Sequence, residues 1–400
     1  MNILILTSVY RDESLGKRDR STNIVNSFVK EWSRQGHSII VIHNSHSYPR
    51  FIHDLPKRIK SKLEFDMGFP ISDYDGVRKK YFEQQGAKVF RLPIKKYIPH
   101  TSPGNWTIKN QVNKINKILK HNKFKPDVIT GHWASPQMEI ISELKSIYNC
   151  KTAIVLHGMG YINSEKFNAS KYIENIDRIG TRSAYQAKQA KEILDLDEMP
   201  FICNSGVPDD YLDHYNLNLN KYENIKKWKI SFVGRLVSYK NVDSIIKALS
   251  NIEVEWELNI VGDGAQEEEL KKLTERLNCD DKVNFLGHIS RDEVMEVLQD
   301  THIFIMISTN EVFGLVYLEA MAASCLTIAS KDGGVDGVIR NNLNGYLCKQ
   351  GDSYELNKLL KKIMSSEVEE IKKIANNAYV TANKYSDYNV AKSYLEKITR

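Results

Sequence analysis

Two glutamates, Glu311 and Glu319, lie on either side of the start of an apolar helix that follows Gly314. Leu, Val, Tyr, Ala and Met occupy every side of this helix, which is typical of a helix buried all round. Glu319 falls little more than one turn into it, and a buried carboxylate without partners is costly in free energy. Two interpretations are open. Glu319 is solvated or salt-bridged, or it holds a pair of ligand hydroxyls while the helix start offers backbone N–H groups to an anion.

A second candidate segment follows the first strand of the second half of the chain. Gly234 ends the predicted strand Ile230–Val233, and Arg235 and Lys240 follow it, five residues apart. Glycine lets the backbone approach a ligand, and an arginine with a lysine can neutralise a diphosphate. Ligands of open α/β sheets bind beyond the carboxyl ends of the strands, which favours a phosphate site here. A surface arginine and lysine flanking a turn is the alternative.

Two histidines end strands in the first half of the chain. His132 lies in a Gly-His-Trp segment after the predicted strand Asp127–Thr130, and His157 follows the strand Lys151–Leu156. An imidazole can hydrogen-bond a hydroxyl and can respond to developing charge. A structural role is the alternative for both, so His132 is a pocket candidate only.

Strands and helices alternate along both halves of the chain. The predicted strands of the first half are Asn2–Thr7, Ser38–Ile42, Ala87–Leu92, Asp127–Thr130, Lys151–Leu156, Arg178–Thr181 and Phe201–Asn204. Those of the second half are Ile230–Val233, Glu257–Val261, Lys282–Leu286, Ile303–Ile307 and Leu326–Ala329. This alternation predicts an α/β fold of two Rossmann-like, doubly wound domains that face each other across a cleft.

The expected boundaries are an N-terminal domain at 1–205, a linker at 206–229 and a C-terminal domain at 230–384. Residues 44–86 break the alternation, since they are polar, basic and aromatic without a clean period. A loop that long in a compact domain is typically functional or mobile.

The segment Glu311-x-Phe313-Gly314-x-x-x-x-Glu319 resembles the Glu-x7-Glu signature of retaining glycosyltransferases of family 4, which have the GT-B fold. The resemblance extends over the whole second domain and the chain end. It covers the first domain only in patches, and it does not cover residues 44–105. The segment from Tyr385 to Leu395 resembles the family's terminal helix, which implies that residues 385–400 cross back to the first domain.

The resemblance implies retaining transfer of a sugar from a nucleotide-diphosphate sugar, a UDP-sugar, with no cofactor or metal required. It implies that Glu319 binds the ribose hydroxyls and that Glu311 binds the sugar hydroxyls. Arg235 and Lys240 would bind the diphosphate, and His157 would complete the pocket from the opposite domain. The catalytic candidates are therefore His157, Glu311, Arg235 and Lys240, and the further donor-binding candidates are Gly234, Gly262, His288, Ile289, Phe313, Gly314 and Leu315.

Two positions depart from the family pattern. Relatives have a Gly-Gly pair in the loop after the first strand, where this chain has Gly16 among basic residues. Relatives have a glutamate at the position of Gly337, where this chain has Asp336 next to it. Whether Gly16 and Asp336 replace the usual residues is open.

Charge is unevenly distributed along the chain. The net charge is +6, but residues 1–200 contain 32 basic and 20 acidic side chains, and residues 50–125 contain 18 basic and 6 acidic ones. A basic region favours nucleic acid, an anionic membrane surface or a phosphate-bearing substrate. A nucleic-acid partner is disfavoured, because the region lacks a stacking or helix-turn-helix pattern. We interpret it as a site for a saccharide or lipid-linked acceptor or an anionic membrane, with a solvated surface as the alternative.

Cysteine usage and hydropathy suggest a location. The five cysteines are widely spaced without a Cys-x-x-Cys pair, which is typical of reduced thiols in a cytoplasm. The apolar start of the chain has no basic region before it, which favours a strand over a signal peptide. The prediction is a cytoplasmic protein, peripheral on the inner membrane face if the basic region binds lipid.

The predicted function is a glycosyltransferase of bacterial surface polysaccharide or glycolipid synthesis. One alternative is a UDP-sugar epimerase on the same fold, which needs no acceptor site and leaves residues 44–105 unexplained. The other is a non-catalytic GT-B partner protein. The charged residues of the donor site argue against it, whereas Gly337 and the altered first loop favour it.

Overall fold

The computed structural model describes residues 1–18, 22–47, 55–56, 59, 80–95, 102–160, 162, 167–214, 217–309 and 311–400. The chain forms two compact units. The first consists of residues 1–182, 186–203 and 390–400, and the second consists of residues 183–185 and 204–389.

The first unit is built on a mostly parallel sheet. Its strands are β1 (Asn2–Thr7), β2 (Ser38–His43), β3 (His46–Ser47), β4 (Tyr81–Gln84), β5 (Ala87–Arg91), β6 (Ile94–Lys95), β7 (Val128–His132), β8 (Lys151–Leu156), β9 (Arg178–Thr181) and β10 (Phe201–Ile202). Within the described residues, eight of these strands form a sheet in the order β10-β9-β8-β7-β1-β2-β5-β4, while β3 and β6 pair separately. Every pairing in this sheet is parallel except the antiparallel pair β4–β5.

Helices connect these strands as the alternation predicts. They are α1 (Ile24–Arg34), α2 (Asn105–His121), α3 (Gln137–Tyr148), α4 (Ser170–Ile173) and α5 (Ala184–Ile193). A buried core lies between the sheet and the helices, with residues from β1, β7 and β8 packed against apolar side chains of α2 and α3. This core holds the carboxyl ends of β7 and β8, and therefore His132 and His157, in a fixed register.

The second unit has a fully parallel sheet. Its strands are β11 (Trp228–Val233), β12 (Trp256–Val261), β13 (Val283–Gly287), β14 (Ile303–Met306), β15 (Leu326–Ser330) and β16 (Tyr346–Cys348). In the described part of the chain their order is β13-β12-β11-β14-β15-β16. The order reverses between β11 and β14, which is the position where ligands bind in open parallel sheets.

The helices of the second unit are α6 (Asp209–His214), α7 (Val242–Leu249), α8 (Glu267–Arg276), α9 (Arg291–Asp300), α10 (Leu315–Ala322), α11 (Ser353–Met364) and α12 (Val368–Lys384). Helix α10 is buried from Tyr317 to Ala322, and only Leu315 and Val316 are partly exposed. The prediction of a helix buried all round is therefore confirmed for Tyr317 to Ala322 and wrong for the first two residues.

The last helix, α13 (Asp387–Thr399), belongs largely to the first unit. The indole N–H of Trp32 donates a hydrogen bond to the carbonyl of Ala391 at 2.8 Å. Tyr394 packs edge-on against Phe28, with ring centroids 4.9 Å apart. Aromatic contacts of this kind fix the register of α13 on the first unit.

The interpretation of residues 44–86 as a loop is partly wrong. Residues 81–84 form strand β4, which pairs with β5 through a tight turn in which Gln85 and Gly86 have φ of 54° and 79°. The strand is short and its side chains alternate between exposed and partly buried, so its apolar pattern is weak. Most of residues 48–79 lies outside the described residues.

Two observations concern membrane-spanning helices and cysteines. In the part of the chain that the structure describes, no helix has the length and apolarity needed to cross a membrane. The five cysteines are free thiols, and four of them are buried.

Candidate active site

Backbone hydrogen bonds join the loops at the carboxyl ends of β11, β12 and β13. The N–H of Gly234 donates to the carbonyl of Val261 at 2.9 Å, and the N–H of Gly262 donates to the carbonyl of Gly287 at 2.7 Å. Gly262 has φ of 126°, and a Cβ there would lie 1.9 Å from the carbonyl oxygen of Gly234. Only glycine therefore allows this approach of two loops.

Lys240 and Glu311 form an ion pair in this region. Their side chains are only 12% and 14% exposed. The N–H of Thr309 donates to the carbonyl of Tyr239 at 2.7 Å, which ties the loop after β14 to the loop that carries Lys240. Arg235 lies in the same loop and is exposed. The structure thus brings Lys240 and Glu311 together and places Arg235 in the loop that carries Lys240.

Helix α10 begins directly after this ion pair. Gly314 precedes the helix with φ of 75°, and a Cβ there would lie 2.6 Å from the ring of Tyr317. The first N–H groups of a helix have no acceptor within it, so Leu315 and its neighbours can donate to an anion. Phe313 is 3% exposed and anchors the turn. A negatively charged group beside Lys240 can therefore reach both a cation and the helix start.

Glu319 is 8% exposed and is salt-bridged to Arg291, a residue that we did not predict. Arg291 donates to Oε1 of Glu319 from Nη2 at 2.5 Å and from Nε at 3.1 Å. Its guanidinium lies 4.1 Å from the ring centroid of Tyr211 in α6. Among the described residues, no protein group hydrogen-bonds the Oε2 of Glu319. The carboxylate is thus held by one oxygen and can accept hydrogen bonds with the other.

A sequence signal for Arg291 exists. Ser290 and Glu293 form a capping box in which each side chain accepts a hydrogen bond from the backbone N–H of the other. This pattern places Arg291 at the first position of α9. Its partner, Glu319, is on another helix and was not deducible from this local pattern.

The other predicted donor-site residues lie at the strand ends without strong contacts. His288 is exposed and Ile289 is partly buried, directly after β13. Asp336 is partly exposed in the turn after Gly333, and its N–H donates to the carbonyl of Gly333 at 3.2 Å. Among the described residues, its carboxylate has no hydrogen-bond partner.

His132 and His157 are in direct contact in the first unit. The Nδ1 of His132 lies 3.0 Å from the Nε2 of His157, and the ring of Trp133 stacks on His157 with centroids 4.1 Å apart. Burial and the nearby Arg182 guanidinium lower the pKa of His132 to about 3 and lower the pKa of His157 well below its ordinary value. Both rings are therefore neutral at physiological pH.

A buried polar cluster occupies the carboxyl ends of β1, β2 and β5, and sequence reasoning missed it. The Nε of Arg91 donates to Nδ1 of His43 at 3.3 Å, and its Nη2 lies 3.6 Å from Oδ2 of Asp12. All three side chains are nearly inaccessible. Gly16 lies close by in sequence, in the short 3-10 helix Glu13–Arg18. Hydrophilic residues within apolar strand ends were the available signal.

The described residues contain no cluster of three or more His, Cys, Asp or Glu side chains that could hold a metal ion. The candidate groups of the second unit are three basic side chains, two carboxylates and a helix start. This is the chemistry of an anionic ligand that also carries hydroxyl groups.

Part of the chain is similar to a known family. Residues 218–381 match the family of glycosyl transferases group 1. This stretch contains Arg235, Lys240, Arg291, Glu311 and Glu319, and therefore both ion pairs.

Curated relatives match over limited lengths. The chain is 38% identical over 116 residues to N-acetyl-alpha-D-glucosaminyl L-malate synthase of Bacillus anthracis, over 28% of this chain and 30% of that protein. It is 26% identical over 249 residues to an uncharacterized glycosyltransferase of Methanocaldococcus jannaschii, over 60% of this chain and 66% of that protein. The chain thus spans less than two thirds of the length of either relative.

Solved structures resemble the chain over its whole length. A glycosyltransferase from Rickettsia africae has a TM-score of 0.69 at 20% identity, with 99% of this chain and 97% of that chain covered. Anabaena HepE in complex with UDP has a TM-score of 0.66 at 15% identity, with 100% of both chains covered. With the group 1 match and two parallel sheets, these likenesses confirm the predicted α/β, GT-B fold class.

Proposed function

We propose that the chain is a retaining glycosyltransferase that moves a hexose-type sugar from a UDP-sugar to a saccharide or lipid-linked acceptor. The observation that carries this proposal is the buried Glu319 carboxylate, which Arg291 holds through one oxygen while the other has no protein partner among the described residues. A carboxylate held in this way is suited to accept hydrogen bonds from two ribose hydroxyls. UDP in the similarly folded HepE supports uridine as the nucleoside.

The diphosphate would bind between Arg235, Lys240 and the start of α10. Positive charge and helix N–H groups at this point stabilise the leaving group as negative charge develops on it. His157, in the first unit, would hydrogen-bond a hydroxyl of a saccharide ligand. No metal is needed in this proposal, because the leaving-group charge falls on these protein groups.

The ion pair of Lys240 with Glu311 balances the charge of two mostly buried side chains. Both side chains are mostly buried, so each would be costly alone. A bound donor offers a phosphate to Lys240 and sugar hydroxyls to Glu311. We propose that donor binding opens this pair and that the two residues then bind different parts of the same ligand.

The experiment that tests the donor assignment is calorimetric titration with UDP, GDP and ADP. Wild-type protein should bind UDP most tightly, and Glu319→Ala should weaken UDP binding by about 100-fold. No binding of any of the three nucleotides would overturn the proposal. Incubation of UDP-sugars with and without acceptors, in the presence of EDTA, then separates transfer from epimerisation. An epimer formed without acceptor would favour the epimerase.

We propose that the protein meets its acceptor at the anionic inner surface of a bacterial membrane. The reaction would then belong to surface polysaccharide or glycolipid synthesis. Helix α2 supports this, since it exposes Trp106 (79% accessible) at its start and four lysines along its length, Lys109, Lys114, Lys117 and Lys120. Each lysine near an anionic surface contributes about 1 kcal/mol.

Vesicle sedimentation at low salt tests this surface. Binding to phosphatidylglycerol vesicles but not to phosphatidylcholine vesicles is expected. It should weaken in a Trp106→Ala, Lys109→Gln, Lys117→Gln variant and persist in the matched surface variant Lys358→Gln, Lys361→Gln of α11. Equal binding to both vesicle types, or none, would exclude the membrane proposal and leave the donor assignment untouched.

A further inference from the structure

A chain of four buried polar groups leads from the centre of the first sheet to His157. The hydroxyl of Thr130 lies 2.5 Å from the hydroxyl of Tyr394, which lies 3.3 Å from Nε2 of His132. The Nδ1 of His132 lies 3.0 Å from Nε2 of His157. Thr130 and His132 are inaccessible and Tyr394 is 1% exposed, whereas His157 is partly exposed. Of these four hydrogen-bonded groups, only His157 can therefore meet a ligand.

Two directions of donation are possible along this chain, because each neutral imidazole has one N–H and one lone pair. In the outward direction Thr130 donates to Tyr394, Tyr394 donates to His132, and the Nδ1–H of His132 donates to Nε2 of His157. In the inward direction every bond is reversed, and the Nε2–H of His157 donates to His132. The two directions leave His157 with opposite tautomers.

The buried end decides between the two directions. Among the described residues, the Thr130 hydroxyl has one hydrogen-bond partner, the hydroxyl of Tyr394. In the inward direction the Thr130 hydroxyl accepts from Tyr394, so its own proton is left buried without an acceptor. In the outward direction that proton is used, and only a lone pair of Thr130 is unused. A buried donor without an acceptor lowers the population of the inward form by roughly tenfold or more.

We infer that His132 and Tyr394 are positioning residues that hold His157 in the Nδ1–H tautomer, so that it presents a hydrogen-bond donor to its ligand. The proton on Nδ1 makes His157 a donor to an oxygen lone pair of the ligand. It also prevents that nitrogen from acting as a general base. Trp133, stacked on the imidazole, restricts rotation of the ring and so keeps Nε2 directed at His132. This inference deepens the proposed function, but the tautomer itself is independent of it.

The tautomer can be measured without any substrate. In the full-length protein labelled with 15N-histidine, long-range proton–nitrogen spectra distinguish a ring nitrogen that carries a proton from one that does not. The expected result for wild type is a protonated Nδ1 and an unprotonated Nε2 in His157, with His132 in the same tautomer. A protonated Nε2 on His157 in wild type would overturn the inference.

A conservative variant tests the role of the buried end. Tyr394→Phe keeps the ring between its aromatic neighbours but removes the hydroxyl that donates to Nε2 of His132. The wild-type tautomers should persist, because a buried Nε2–H of His132 would have no acceptor in this variant, but the 15N resonance of the unprotonated Nε2 should shift. Tyr388→Phe, an exposed tyrosine of the same helix, is the matched control and should leave the wild-type spectrum unchanged. A His132 Nε2 resonance that keeps its wild-type position in Tyr394→Phe would contradict donation by Tyr394.

Steady-state kinetics test whether the hydrogen bond between Tyr394 and His132 contributes to the proposed reaction. Tyr394→Phe should lower kcat with a UDP-sugar several-fold, while calorimetric UDP binding, a property of the second unit, stays unchanged. A kcat equal to that of wild type would contradict the positioning role. If wild-type protein does not bind UDP, the proposed function is rejected instead, and the tautomer result remains valid.

Discussion

Replacing Arg291 by alanine removes the group that holds the Glu319 carboxylate. Two charge-assisted hydrogen bonds are lost, at 2.5 and 3.1 Å, from a side chain that is 37% exposed. Such bonds contribute about 1.5 to 3 kcal/mol each when buried, and the exposure of Arg291 reduces the effect. We expect a net loss near 1 kcal/mol in UDP binding, which corresponds to about fivefold weaker affinity.

The comparison variants separate charge from geometry. Arg291→Lys keeps the charge but not the two-nitrogen contact, so we expect about a twofold loss of UDP affinity. Glu319→Ala removes both ribose bonds and should weaken binding by about 100-fold, as expected for two bonds to a charged acceptor. Glu296→Ala, at an exposed position of α9, is the matched control, and it should bind UDP like wild type.

Isothermal titration calorimetry at fixed salt is the assay. Tighter UDP binding in Arg291→Ala would refute the reasoning, because it would mean that Arg291 competes with the ribose for Glu319. Unchanged binding with lower stability in urea would also contradict it, since Arg291 would then only neutralise a buried charge.

Three further predictions concern the second unit. Lys240→Ala should weaken UDP binding about tenfold, whereas Glu311→Gln should bind UDP within about threefold of wild type but lose sugar transfer; equal effects on UDP binding would argue against separate roles. Gly262→Ala should destabilise the protein by more than about 2 kcal/mol, because the added Cβ meets a backbone oxygen at 1.9 Å, while Gly160→Ala, with open space around it, should not; thermal unfolding compares them. Burial, with Lys221 nearby, lowers the pKa of His302 to about 4, so the native state resists protonation that the unfolded chain accepts below about 6.5. The unfolding free energy should therefore fall by about 3 kcal/mol between pH 6.5 and 4. In urea titrations, His302→Asn should show a smaller fall over the same range. Equal falls for wild type and His302→Asn would contradict this.

The pattern of apolar residues was sufficient to predict most of the strands and helices. Parallel strands that are buried on both faces are continuous apolar runs, and β1, β8 and β14 start at the predicted residues. Strand β4 lacks such a run, since it is short and lies at the sheet edge. The sequence signal was therefore strong where burial is complete and weak where it is partial.

The candidate site divides in the same way. Residue types at a strand end indicated Arg235 and Lys240, because ligands of open sheets bind at the carboxyl ends of the strands. Glu319 was indicated as a single charge in an apolar helix, and Glu311 by the family resemblance. Their partners were not indicated. The ion pair of Arg291 with Glu319 joins two helices, and local spacing carries no information on the distance between helices.

By itself the sequence determined the two-domain α/β fold and the residues that end its strands, since both follow from local apolar patterns and turns. Tertiary structure alone decided which of those residues are paired. Tyr394 and His132 are 262 residues apart in sequence, and only the packing of α13 on the first unit brings them together. The physical reason is that a hydrogen bond depends on distances of about 3 Å, which are set by the packing of whole helices and sheets.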